Sequence, residues 1–505
     1  HDILSFLPSP LFPATMIATE AFSLLTFPSK LRKPPLSPAP LLRRLPAPFF
    51  TISPIKPNRR SRATSSNPDR ETEPTLSETA SKSSGLARAV HLASSLGILL
   101  ALDKMLSKVF STAAIKFPSA LFGMFCIFSS LTILDTAAPE WAAAVVGFFR
   151  PALLFIQRWL PLFYVPTLVV LPLSLRGIPA DSALKICYIT AGGWLATLCA
   201  TGYTTVIIRN IVKTEMIPPP PVGKSAPFTA GEFWAWGGIF AVSFVAALCN
   251  PVMLGTTART CLPFLLAATV LGFMFGTRLP SRIGKLFHPI VCCALSADLA
   301  VYGYSVLSNS PFVSSLGYYL TKASSNPGAG DLLMGFLGTV ILSFAFSMFN
   351  QRKLVKRHAK EIFGSIIIGT LFSLYSSAFA GRLLGLDSWL IVSILPRCIT
   401  VALALSITSM FEGANSSLTA AVVVVTGLIG ASFAQFFLDK LNFRDPIARG
   451  IATAASAHGL GTAALSAKEP EALPFCAIAY GLSGIVGSLF CSVPVARESL
   501  LAIIG

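Results

Sequence analysis

Charge is what this 505-residue sequence has least of: Asp, Glu, Lys and Arg together make up 12% of it, against about 25% in an ordinary soluble domain. Acidic residues are scarcest, 22 against 39 Lys and Arg, and there are five histidines. No Cys-x-x-Cys pair and no Cys/His zinc spacing occurs among the ten cysteines, which lie mostly in apolar stretches (Cys126, Cys199, Cys292, Cys293) and are expected to be buried free thiols. A disulfide framework, a structural zinc and a metal cofactor are not expected. Gly223-Lys224-Ser225 resembles the end of a phosphate-binding loop, but Pro218 stands where that loop needs glycine. No G-x-S-x-G elbow is present, and Ser456 near His458 has no evident carboxylate to orient it. ATP-driven chemistry and serine hydrolysis are therefore disfavoured, no organic cofactor is implied, and the chain is not expected to be an enzyme.

Hydrophobic residues make up 53% of the chain and its mean hydropathy is +0.70. Apolar stretches recur at 88–107, 118–134, 151–175, 183–208, 231–250, 261–277, 288–308, 331–349, 361–383, 389–411, 417–438, 447–466 and 474–495. A helix needs about 20 such residues to cross a bilayer, so the shorter stretches are tilted, broken or re-entrant and about 12 crossings are expected. The predicted fold class is an all-α polytopic membrane protein, with lipid as its surroundings.

The net charge of +17 does not call for a nucleic-acid partner. Residues 1–68 carry nine Lys/Arg and two acids. The leader 1–85 is rich in Ser, Pro and Arg and poor in acid before Asp69, the composition of an organelle transit peptide, best of all a plastid one. Further on, Arg209 and Lys213, then Arg278, Arg282 and Lys285, then Arg352, Lys353, Lys356, Arg357 and Lys360 are separated by pairs of spans. These basic loops share one side, the inner one by the usual bias. Pro218–Pro221 marks a linker over 216–230, dividing a four-span unit (86–215) from a larger one (231–505).

Two segments carry chemistry at membrane depth, where ionisable groups are rare and functional by default. In Leu395-Pro396-Arg397-Cys398-Ile399-Thr400 the proline breaks any helix. A half-helix starting at Thr400 then points free N–H groups inward, beside the carboxylate-matching fork of Arg397. In Ser456-Ala457-His458-Gly459-Leu460-Gly461-Thr462 a histidine sits among small residues that permit close approach or a helix break. It is the candidate proton-coupling group. Gly338 and Thr339 are the expected counterpart of the 395–406 break in an inverted repeat. Asp445 and Arg449, four apart, suit an intrahelical salt bridge. His288 and His358, beside basic loops, are expected to be solvated.

These motifs resemble a known family. Gly330-Asp331-Leu332-Leu333-Met334, Gln351-Arg352-Lys353-Leu354-Val355-Lys356-Arg357-His358, Leu395-Pro396-Arg397, Arg444-Asp445-Pro446-Ile447-Ala448-Arg449-Gly450 and Gly459-Leu460-Gly461-Thr462-Ala463 are similar to the LrgB/CidB membrane proteins. Phe117-Pro118-Ser119-Ala120-Leu121-Phe122-Gly123-Met124 and Leu162-Phe163-Tyr164-Val165-Pro166 resemble LrgA/CidA. The chain departs from the LrgB pattern after Arg397, where a second proline is absent. Fusion of both parts behind a transit peptide is similar to plant plastid carriers. The resemblance implies an inner-envelope antiporter that exchanges photorespiratory glycolate and glycerate; the runner-up it implies is a holin-like pore or pore regulator. A pocket for small 2-hydroxy monocarboxylates needs a cation or helix start for the carboxylate and hydroxyl or amide groups for the OH. Arg397 and the helix start at Thr400 are candidates for the first, Thr400, Asn250, Thr462 or Ser456 for the second, and His458, Gly459 and Thr339 complete the expected substrate-binding set. Pro396, Gly338, Asp445 and Arg449 are expected to shape or gate the site, and a homodimer is an expectation.

Overall fold

The computed structural model describes residues 76–115, 117–175, 177–215, 228–280, 288–466, 469 and 471–505. Most of the leader, the proline run 218–221 and the basic residues Arg282 and Lys285 lie outside the described residues. Within them the chain is helical with no strand. The long helices are α1 (Leu76–Thr112), α2 (Ser119–Ala137), α3 (Pro139–Trp159), α4 (Ala180–Val212), α5 (Ala230–Cys249), α6 (Thr257–Arg278), α7 (Pro289–Leu307), α8 (Leu337–Asn350) and α9 (Ala359–Leu383). They continue as α10 (Ser388–Ile394), α11 (Val401–Thr408), α12 (Ser416–Lys440), α13 (Pro446–Ser466), α14 (Leu473–Ser492) and α15 (Pro494–Ile504). Short turns extend α3 through 160–175 and precede α8 at Ala329–Met334.

Eleven of the described segments are long and apolar enough to cross a bilayer, one short of the count expected. The difference lies in 389–411 and 447–466, which are apolar enough to pass for crossings but turn back on themselves. In the first, the Asn415 N–H donates to Ser393 Oγ at 2.8 Å and Thr419 Oγ1 to the Ser393 carbonyl at 2.7 Å. The hydroxyls of Thr408 and Thr419 meet at 3.1 Å. The last turn of α10 and the exit from α11 thus converge on the first turn of α12. In the second, Arg449 grips Glu469 with two bonds of 2.7 and 2.5 Å, so both ends of α13 sit at one face.

The two hairpins enter from opposite faces. Arg209 at the end of α4 bonds Asp445 at the start of α13 at 2.7 Å, which puts the roots of α13 on the side of the basic loops. Arg352 pairs with Asp135 at 2.8 Å on that side as well. At the far end of α9, Arg382 donates to the Ile504 carbonyl and Ser388 to the Gly505 carbonyl, beside the start of α10. Oppositely directed broken helices are the arrangement an inverted transport fold requires.

The expected counterpart at Gly338 needs correction. Phe336 N–H bonds Leu333 O, and Val340 N–H bonds Phe336 O, so Gly338 and Thr339 continue a helix. The carboxylate of Asp103 in α1 lies against Gly338 and explains the missing side chain there. The described residues interrupt a helix at 395–400 and again at His458. The family-like Asp331 holds the turn before α8 by accepting the N–H groups of Thr321, Lys322 and Gly328 at 2.8–2.9 Å.

The buried side chains form one large apolar core drawn from both ends of the chain, from Leu92 to Ile504. A second, small core (Trp194, Leu198, Ala434, Leu438, Phe443, Ala452) joins α4 to α12 and α13. The fourth helix of the N-terminal unit therefore packs among the hairpin-bearing helices, against α9, α12 and α13. Exposed Ile207, Ile211, Val242, Val245 and Phe436 form an outward apolar surface of the kind lipid solvates.

Candidate functional site

Pro396 ends α10, and two tight turns follow: Arg397 N–H to Ile394 O at 3.2 Å and Ile399 N–H to Pro396 O at 2.9 Å. Thr400 is extended (φ −59°, ψ 142°), and no side chain caps α11, so the first N–H groups of that helix stay free of side-chain acceptors. The single proline suffices for the break. Arg397 is 1% exposed, among the largest fully buried side chains of the protein. Its Nε donates to Ser377 Oγ at 2.8 Å, Nη1 to Cys398 Sγ at 2.9 Å and Nη2 to Thr197 Oγ1 at 3.4 Å. None of these partners is a carboxylate. A cation at bilayer depth costs about 2.5–3.5 kcal/mol on insertion scales, and neutral acceptors offset that only in part. The guanidinium also needs Gly193: a Cβ there would stand 2.5 Å from Nη2.

At the other tip, His458 adopts φ 43° and ψ −141° inside α13, a conformation natural to glycine and costing about 1–3 kcal/mol for other residues. Its Nε2 lies 2.9 Å from the Val423 carbonyl, and the ring is 3% exposed. Because a carbonyl can only accept, Nε2 carries the proton and Nδ1 is the free acceptor. Gly427 on α12 makes room for the imidazole, where any Cβ would meet the ring at 2.6 Å. Beside Gly459 a Cβ would meet nothing, so the tip borders open space.

Two adjacent residues of α4 link the tips: Gly193 faces Arg397, while Trp194 faces Gly430 and Ala457, the residue before His458. The indole Nε1 of Trp194 is buried without a partner. From the broken run after α3, Tyr164 brings its hydroxyl to Thr400. The N-terminal unit thus contributes Tyr164, Gly193, Trp194 and Thr197, none of which was singled out from sequence for the site. The proline-framed Leu162–Pro166 run and the Gly192-Gly193 pair were the available signals.

The structure sorts the expected residues into groups. Pro396, Arg397 and Thr400 lie together, as do Ser456, His458, Gly459 and Thr462. The Ser456 hydroxyl is committed to the Ala452 carbonyl, and that of Thr462 to the His458 carbonyl and Cys476. Thr339 is buried with an unpartnered hydroxyl one turn into α8. Asn250 stands at the C-terminal end of α5, exposed, with its side-chain amide oxygen taken by the Val252 N–H. Asp445 and Arg449 do not pair with each other. Asp445 takes Arg209 and caps its own helix at the Ile447 N–H, and Arg449 is drawn to Glu469 and Asp439. His358 is fully buried rather than solvated, bonded to Thr214 and Glu361.

Beneath the α13 hairpin an open cavity of about 980 Å³ faces the basic side, lined by Gln435, Asp439, Arg444, Arg449, Glu469 and Glu471 among others. Among the described residues no cluster of His, Cys, Asp or Glu has metal-binding geometry.

Residues 269–496 match the LrgB-like family. The chain is 69% identical over 415 residues, 82% of its own length and 81% of the relative's, to plastidal glycolate/glycerate translocator 1, chloroplastic, of Arabidopsis thaliana. It is 27% identical over 161 residues, 32% of its length and 70% of the relative's, to the uncharacterized protein YxaC of Bacillus subtilis (strain 168). No solved structure matches. With that identity and coverage, the chain belongs to the plastidal glycolate/glycerate translocator family, whose LrgB-like domain forms its C-terminal part.

Proposed function

We propose that this protein exchanges glycolate and glycerate across the inner envelope membrane of the chloroplast, with Arg397 and the start of α11 as the carboxylate site. The chain is a multi-pass transport protein and not an enzyme, and its relative is a chloroplastic translocator. The observation that carries the finer reading is the guanidinium of Arg397, buried at a hairpin tip with only neutral partners. A 2-hydroxy monocarboxylate supplies the missing anion, bidentate on the fork. Its hydroxyl then has Thr400 and Tyr164 beside it, while the free indole N–H of Trp194 lies toward the α13 tip.

Alternating access follows from the hairpins. The α13 hairpin separates the site from the cavity on the basic side, and the α10–α11 hairpin separates it from the other face. Each opens in turn while the substrate stays near the middle. His458 serves this cycle in two ways. Its strained backbone makes the turn, and its free Nδ1 is the acceptor for a coupling proton.

The test is uptake of labelled glycolate into liposomes containing the purified protein, preloaded with glycerate or empty. Saturable uptake that preloading stimulates, and that Arg397→Ala abolishes, is the expected result. An unsaturable leak, equal in both proteins and indifferent to preloading, would replace the carrier by a pore. For His458, a His458→Gln protein that still accumulates glycolate along a pH gradient like wild type loses the proton role.

A further inference from the structure

The interface between α4 and α9 has features that packing alone does not explain. The helices run antiparallel: Arg209 lies opposite Glu361, Ile208 opposite Gly364, Thr201 opposite Gly369, and Thr197 reaches Arg397, which rests on Ser377. Small or polar residues recur every fourth position on both sides, Gly193, Thr197, Thr201 and Thr205 against Glu361, Ser365, Gly369, Ser373 and Ser377. At 1.5 Å per residue the row from Glu361 to Ser377 spans about 24 Å, most of a bilayer core.

Along this row, polar atoms are buried without partners: Glu361 Oε2, Ser365 Oγ and Thr201 Oγ1, each on a residue 0% exposed. An unpaired buried polar group costs about 1–3 kcal/mol, and buried waters with two to four polar partners are the usual remedy. The basic-face end is also unusual. Glu361 Oε1 receives the Thr214 hydroxyl, stands 3.3 Å from His358 Nδ1 and 3.5 Å from Arg209 Nη1. Arg209 is shared with Asp445 at 2.7 Å, and the His358 ring packs edge-on against Phe475 of α14. Arg209, His358 and, through Arg209, Asp445 are the charged or titratable groups facing Glu361.

We propose that the α4–α9 interface conducts protons between water at the basic face and the Arg397 site, with Glu361 as the group that loads them. A hydronium gives its proton to the Glu361 carboxylate and leaves as water. The resulting acid passes a proton along waters fixed by Ser365, Thr201 and Thr197, each oxygen accepting one proton as it releases another. No hydroxyl is left ionised, Glu361 returns to its carboxylate, and the proton reaches the site for uptake by the free Nδ1 of His458, the acceptor assigned above. The path rests on the exchange function proposed above and explains why the N-terminal unit supplies α4 to the transport core.

The experiment separates the two readings. In proteoliposomes of the full chain, labelled glycolate uptake is measured with a pH gradient and no counter-substrate, and then as exchange against glycerate at equal pH. Glu361→Gln is expected to lower gradient-driven uptake by about tenfold or more, the effect of removing a positioned proton carrier, while exchange at equal pH is retained. Thr201→Val, which keeps the shape and deletes the hydroxyl, shifts the same ratio in the same direction. Gradient-driven uptake equal to wild type in Glu361→Gln overturns the path. If that variant does not fold, an undiminished gradient response in Thr201→Val combined with Ser365→Ala overturns it instead. A wild type that exchanges but ignores the gradient sinks the path alone, whereas a wild type without exchange sinks the transport reading first.

Discussion

The two hairpins look alike in sequence hydropathy and differ in what they bury. The α10–α11 tip buries a permanent cation among neutral acceptors and leaves a helix start uncapped. The α13 tip buries a neutral-capable ring bonded to a backbone carbonyl, and its roots are tied by ion pairs beside a charged cavity. On the proposed reading the first holds the anion and the second moves. Mutations on each hairpin should then affect different kinetic constants.

The largest effect is expected at Arg397. Removing a buried partner of a charged pair costs about 2–5 kcal/mol, so Arg397→Ala should weaken glycolate binding by about 30-fold or more. Arg397→Lys keeps the charge and loses the fork, so the expected outcome is intermediate, a KM raised about tenfold, about 1.4 kcal/mol. Equal KM values for Lys and Arg would mean that charge alone, without bidentate geometry, holds the substrate.

A pair of glycines sharpens the contrast. A methyl at Gly193 pushes on the Arg397 guanidinium, while one at Gly430 pushes on Ala457 and on Trp194 Nε1 at 2.9 Å. Overpacking of this kind costs about 1–3 kcal/mol. Gly193→Ala is expected to raise KM with the maximal exchange rate little changed, and Gly430→Ala to lower the maximal rate with KM little changed. Initial-rate exchange measurements over a range of glycolate concentrations give both constants. The same constant moving in both variants would merge the two roles.

At the hairpin root, Arg449 holds Glu469 and Asp439 and donates to the Phe443 carbonyl at 2.9 Å. Arg449→Gln removes charge-assisted bonds worth about 1.5–3 kcal/mol in partly buried settings, and a lowered detergent-solubilised melting temperature is its readout. The swap Arg449→Glu with Glu469→Arg should recover part of that loss. No recovery would make the Asp439 and Phe443 contacts the dominant ones.

Much of this was legible in the sequence, because hydropathy and helix breakers report directly on membrane depth. The all-α class and the break at Pro396 follow from local residue chemistry. The re-entrant return of 389–411 and 447–466 was not legible, since an apolar run of about 20 residues fits a crossing and a hairpin equally well. The partners of Asp445 and Arg449 were misread for a related reason. Helical spacing places them within reach of each other, but Arg209, 236 positions away in sequence, and Glu469 offer better geometry. The role of α4 escaped notice because Gly193, Trp194 and Thr197 are ordinary membrane-helix residues until Arg397 is set among them. The seam at Glu361 escaped with it, since His358 beside a basic loop reads as solvated.

The smallest effect is expected at Asn250, and it bears on the same division of labour. An amide in an apolar region is a reasonable ligand for a substrate hydroxyl when only the sequence is known. In the fold its backbone N–H closes the end of α5 on the Ala246 carbonyl, and its exposed side chain accepts the Val252 N–H of the following turn at 3.3 Å. Loss of one exposed local bond is worth about 0.5 kcal/mol or less. Asn250→Ala should therefore leave both the KM and the maximal rate of exchange within about twofold of wild type. A large rise in KM would bring α5 into the binding wall, and the anion site could no longer be confined to the α10–α11 hairpin and the helices that surround it.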